Sequence, residues 1–126
     1  MEFTLKSSFN ASAEAIYNAW LSSEGHSDMT GGEATISNEK GGEFSAWDGY
    51  IEGKNIVLEP CNRIVQSWRT SQFESDESDS QIEILLDENN GKTELTLIHT
   101  NLPESGGHYK KGWEEHYFQP MKEYFG

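Results

Sequence analysis

Four tryptophans (Trp20, Trp47, Trp68, Trp113) and four histidines (His26, His99, His108, His116) hold most of the chemistry available to this 126-residue chain. Each indole can bury roughly 150–250 Å² and offers one N–H donor. Each imidazole titrates near neutral pH when unperturbed. No histidine pair has metal spacing on one face, Cys61 has no ligand partner near it in sequence, and zinc sites need three or four protein ligands. No metal and no cofactor are expected. Gly31-Gly32, Gly41-Gly42 and Gly106-Gly107 lack the length and the lysine or helix context of a phosphate loop, so they read as turns. No nucleophile elbow is present either. What remains is binding chemistry. Ligand sites are mainly aromatic with a few polar anchors, and Phe44, Trp47, Trp68, Trp113 and Tyr117 are candidates to line an apolar pocket, with His99 as its polar anchor or as an acid or base. The ordinary alternative for the same residues is a packed aromatic core around a hydrogen-bonded histidine.

The elements that must position these residues follow from patterning. Phe3, Leu5 and Phe9 alternate as in a strand, and Ser12 can cap a helix from Ala13 to Leu21 whose Ala15, Ile16, Ala19 and Trp20 share a stripe. Ser22 and Ser23 can cap a brief second turn that ends before Thr30-Gly31-Gly32, and Ala34 to Ser37 has the length of a short strand. His26, Asp28 and His108 fall in segments that read as loops, where exposure is expected. Asp48-Gly49 and Asn90-Gly91 each sit between alternating runs and predict two-residue type I′ hairpins. Arg63 to Arg69 reads as a strand after the turn at Glu59-Pro60-Cys61-Asn62, and either arginine can meet an acid across the sheet. Gln72 to Ser80, with four acids, reads as a solvated loop. His99 follows Leu95 and Leu97 at period two, so it shares their face. Tyr109, Trp113, Tyr117, Met121 and Tyr124 recur every three or four residues and predict a long C-terminal helix, disturbed at Pro120, which has no N–H for the His116 carbonyl. Gly112 is expected to let that helix approach a neighbouring element closely.

Composition narrows the function classes. Twenty-two acidic residues against nine basic give a formal net charge of −13, which opposes nucleic acid and anionic membrane surfaces as partners. The first ten residues lack the basic and apolar runs of a secretion signal, no apolar run approaches the ~20 residues that span a bilayer, and a lone cysteine forms no internal disulfide. A single domain over residues 1–126 in a reducing, cytoplasmic setting is expected.

The element order is that of the α+β helix-grip fold, and particular residues make the resemblance more specific. They are Ala15-Ile16-Tyr17 before Trp20, Gly41-Gly42-Glu43-Phe44 leading into Asp48-Gly49, and Gly53 before Leu58-Glu59-Pro60. Arg63-Ile64-Val65 with Trp68-Arg69, Thr93-Glu94-Leu95 and Leu97, and the closing Lys111-Gly112-Trp113-Glu114-Glu115-His116-Tyr117-Phe118 complete the set. In this order they resemble the C-terminal domain of the activator of heat-shock protein 90 ATPase, within the START-like group. The resemblance implies a curved antiparallel sheet of about six to seven strands around the C-terminal helix, short helices after strand one, and a cavity between sheet and helix. Three functions are compatible with it: a non-enzymatic carrier of a small apolar molecule, a partner of a heat-shock protein 90 class chaperone, and an enzyme of the cyclase or hydrolase kind. An enzyme needs at least two polar groups converging on one reacting atom, and the sequence offers His99 alone.

Overall fold

The computed structural model describes residues 1–126. Alternation and turn chemistry produce strands β1 (Phe3–Phe9), β2 (Thr35–Ile36), β3 (Glu43–Ala46), β4 (Ile51–Glu59), β5 (Arg63–Thr70), β6 (Ser80–Asn89) and β7 (Lys92–Thr100). They form one antiparallel sheet in the order β1-β7-β6-β5-β4-β3-β2. The two predicted hairpins are present. Asp48 and Gly49 adopt φ of 58° and 85°, and Asn90 and Gly91 adopt 58° and 77°, the left-handed pairs a type I′ turn needs. Between β1 and β2 lie α1 (Ala13–Trp20) and α2 (Ser23–Thr30), whose first turns are capped by Ser12 and Ser22 accepting from the amides of Ala15 and Gly25, each at 3.1 Å.

The final helix has three parts: α3 (His108–Trp113), a π-helical turn over Glu114–Phe118, and α4 (Gln119–Phe125), preceded by a 3-10 turn at Glu104–Gly107. Pro120 supplies the cause of the π turn. It has no N–H to give His116, and the preceding amide, that of Gln119, bonds five residues back to the Glu114 carbonyl. The wider turn shifts the apolar stripe by one residue. Phe118 joins Tyr117 in the core, Met121 is fully buried, and Phe125 packs on Phe9 at 6.3 Å, while Tyr124, which the unbroken period would place inward, is 51% exposed.

Ile82, Ile84, Leu95 and Leu97 on the inner face of the sheet are fully buried beneath this helix. Arg63 pairs with Glu83 on β6 and with Glu59, and Arg69 pairs with Asp79 at 2.8 Å. Arg69 also donates to the carbonyls of Glu74 and Glu77 and lies over the Phe73 ring, so the acidic segment before β6 is gathered around one guanidinium. No helix is long and apolar enough to cross a membrane.

Two glycine positions behave differently from one another. A methyl group on Gly53 would lie 1.9 Å from the Ser67 carbonyl oxygen and 2.7 Å from Phe44 Cε1, so β4 and β5 approach there only because a side chain is missing. Gly53→Ala should therefore cost about 3 kcal/mol or more, because a backbone atom cannot rotate away. A urea unfolding midpoint unchanged by that substitution would contradict the close approach. At Gly112 the expectation of a tight approach is overturned: an added methyl meets no heavy atom within 4 Å. The glycine borders open space, and a methyl group added there meets no clash.

Candidate functional site

The open space beside Gly112 is a cleft of about 500 Å³ between the start of the C-terminal helix and the β3–β4 hairpin. Its walls come from the hairpin (Trp47, Tyr50, Ile51), from β5 (Trp68), and from the helix (Tyr109, Trp113, Tyr117). Helical spacing explains the last set, since residues 109, 113 and 117 lie one above another. The exposed side chains of His108, Lys111, Glu115 and His116 stand at the mouth. Lys111 and Glu115 pair at 3.5 Å. The aromatic wall is continuous: Trp68 lies 5.6 Å from Trp113 and 5.0 Å from Tyr109, and Trp113 lies 4.6 Å from Tyr117.

Of the six residues singled out from the sequence, four meet at this cleft: Trp47, Trp68, Trp113 and Tyr117. Phe44 does not reach it and packs into the core opposite Gly53. His99 lies behind the wall, fully buried. The Trp113 indole, which can only donate, gives its N–H to His99 Nδ1 at 3.0 Å, so the proton sits on Nε2 and is donated to Ser80 Oγ at 2.9 Å. Ser80 in turn donates to the Trp68 carbonyl at 2.6 Å. Burial disfavours the imidazolium and lowers its pKa to about 3. His99 therefore fixes the positions of Trp113 and Trp68, with both ring nitrogens committed.

His26 is the residue that sequence reasoning misplaced. It lies on α2 with 1% exposure, donating from Nδ1 to the Trp20 carbonyl at 2.9 Å and accepting at Nε2 from the Tyr117 hydroxyl at 2.8 Å. Burial lowers its pKa to about 4, partly offset by the Trp20 carbonyl, and burial raises that of Tyr117. Asp28, on the same helix, is exposed as expected. Tyr109, the other cleft tyrosine, hydrogen-bonds to Thr70, and burial pushes its pKa up to about 12. Tyr50, Ile51 and Tyr109 were not among the candidates, although the hairpin signal at Asp48-Gly49 and the four-residue step from Tyr109 to Trp113 pointed to them.

Residues 10–126 match the family model described as Activator of Hsp90 ATPase homolog 1-like protein. The chain is similar to the human protein named Activator of 90 kDa heat shock protein ATPase homolog 1, with 29% identity over 126 residues, covering 99% of this chain and 37% of that protein. The Dictyostelium discoideum protein named Activator of 90 kDa heat shock protein ATPase homolog is 30% identical over 124 residues, covering 96% of this chain and 32% of the relative. The chain thus spans about a third of the length of these curated relatives. Among solved structures, an HSP90 activator from Plasmodium falciparum superposes with a TM-score of 0.83 at 22% identity, over 94% of this chain and 91% of the other. A dimeric protein from Colwellia psychrerythraea also superposes with a TM-score of 0.83, at 15% identity over 99% of this chain and 96% of the other. These likenesses establish the helix-grip fold.

Proposed function

The chain belongs to the family of Activator of Hsp90 ATPase homolog 1-like proteins, and from that premise we propose that it is a non-enzymatic binding module whose aromatic cleft takes up a small, mainly apolar molecule. The observation that carries this reading is the cleft itself: about 500 Å³ bounded by three tryptophans, three tyrosines and Ile51. That size and lining suit a compact ligand. The absence of steric contact at Gly112 adds to it, because a side chain there would occupy the same space. Both buried imidazoles have their ring nitrogens engaged within the protein, which favours holding a molecule over acid–base work on one.

Naphthalene is a suitable first probe, because the wall tryptophans report its arrival by fluorescence. Saturation at a hundredfold excess over the dissociation constant should stabilise the fold by about 2.7 kcal/mol. Gly112→Leu and Trp68→Ala should each weaken binding at least about tenfold, and the exposed Asp87→Ala should not. Quenching without saturation, or equal affinity in all three variants, would remove the carrier reading.

Family membership favours a second reading, in which a surface of the same domain contacts a chaperone of the 90 kDa heat-shock class. The human relative is named as an activator, and this chain spans 37% of it. If the reading holds, adding this chain to the purified chaperone raises its rate of ATP hydrolysis or gives a saturable binding curve. Neither response at excess chain would dismiss it.

A further inference from the structure

Trp47 is set apart from every other aromatic of the cleft. Five non-glycine residues have positive φ, and three are the Asn and Asp that tolerate it. Trp47, at φ 53°, is a bulky residue in a region that side chains of its kind avoid. Its ring fits only because Gly32 has no side chain, since a methyl there would lie 2.5 Å from Trp47 Cε3. Its Nε1–H is the sole buried side-chain nitrogen or oxygen without a hydrogen-bond partner. Trp20 and Trp113, by contrast, give their N–H groups to Gln66 at 3.1 Å and to His99 at 3.0 Å. A buried donor without an acceptor is costly, and so is the left-handed backbone that holds it. Both costs fall on one residue of the cleft wall.

We propose that Trp47 is the polar anchor of the cleft, and that the molecule bound there is a neutral aromatic carrying a hydrogen-bond acceptor, such as a ketone, ester or ether oxygen, which receives the Trp47 Nε1–H. This rests on the reading of the cleft as a ligand site. Charge selects within the acceptor class: a net charge of −13 opposes anions, and the one carboxylate lining the cleft, Glu115, is already paired with Lys111, which leaves no partner for an organic cation. His116 packs on the Trp47 ring, edge to face at 5.6 Å. His116 is exposed, so it can turn aside without disturbing the core.

The test compares two probes of matched shape, 2-acetylnaphthalene and its hydrocarbon counterpart 2-isopropenylnaphthalene, against the wild type and Trp47→Phe. In the wild type the ketone should bind about tenfold more tightly than the hydrocarbon, as expected when a buried donor gains its partner. In Trp47→Phe that preference should disappear. Independently, the indole N–H resonance that is missing from the Trp47→Phe spectrum should lie further downfield with the ketone than with the hydrocarbon, because both probes exert the same ring current and only the ketone accepts the proton. If both probes bind the wild type alike and move that resonance equally, the anchor is refuted while the cleft remains a binding site. If neither probe binds, the ligand-site reading fails and takes the anchor with it.

Discussion

Trp113→Ala is expected to destabilise the protein by about 3–5 kcal/mol. The indole is 3% exposed and lies against Trp20 at 6.2 Å, Trp68 at 5.6 Å and Tyr117 at 4.6 Å, so its removal opens a void that these large rings cannot fill without leaving their own positions. A second effect adds to the first. Trp113 Nε1 is the donor to His99 Nδ1, and without it a buried acceptor has no partner, which costs a further ~1–3 kcal/mol. Trp113→Phe separates the two effects, since it keeps most of the apolar contact and removes only the donor. Urea unfolding should therefore rank wild type, Phe and Ala in that order. An alanine variant within about 1 kcal/mol of wild type would mean that the C-terminal helix is anchored elsewhere.

Acidification should destabilise the fold before its carboxylates protonate. An unperturbed imidazole titrates near 6.5, whereas burial in the folded protein lowers the pKa of His26 to about 4 and that of His99 to about 3. Below pH 6.5 the unfolded chain takes up protons that the folded chain refuses, so the stability these groups confer is complete above that value and is lost as the pH falls. The linkage gives a loss on the order of 2 kcal/mol for each histidine by pH 5. From pH 8 to 7 they contribute almost no change. Urea midpoints at pH 7.5 and 5.0 measure the effect, and His26→Gln or His99→Gln should reduce the difference by about half. Identical midpoints in the wild type would show that protons reach both imidazoles in the native state.

The sequence made the sheet legible where local chemistry dictates geometry. Asp48-Gly49 and Asn90-Gly91 supply left-handed angles, and the alternation through Ile82 to Leu86 and Leu95 to His99 fixes which side faces inward. His26 was illegible for the opposite reason. The Ser23–Thr30 segment has weak helix formers and one glycine, yet it is helical because Gly25 lets it pack on α1, where an added methyl would lie 2.8 Å from Ala19 Cα. Tertiary contact overrode propensity there. Pro120 announced a disturbance, but its form, a π turn that exchanges Phe125 for Tyr124, depends on the packing of the folded helix. The aromatic composition of the cleft could be read from residue types, whereas the backbone conformation of Trp47 and its unpartnered N–H depend on Gly32, fifteen positions away in the chain.

The pairing of β1 with β7, from Phe3 opposite His99 to Phe9 opposite Thr93, joins the first strand of the sheet to the last one in sequence. During synthesis β1 and the apolar face of α1 leave the ribosome well before the strand that pairs with one and the helix that covers the other. The meander from β3 to β7 meanwhile closes through short connections as each strand appears. Until β7 and the final helix emerge, this domain therefore carries an unpaired strand edge and uncovered aromatic residues, the features that invite association between chains. Its vulnerable period ends only when residues 108–125 are free to lie across the sheet.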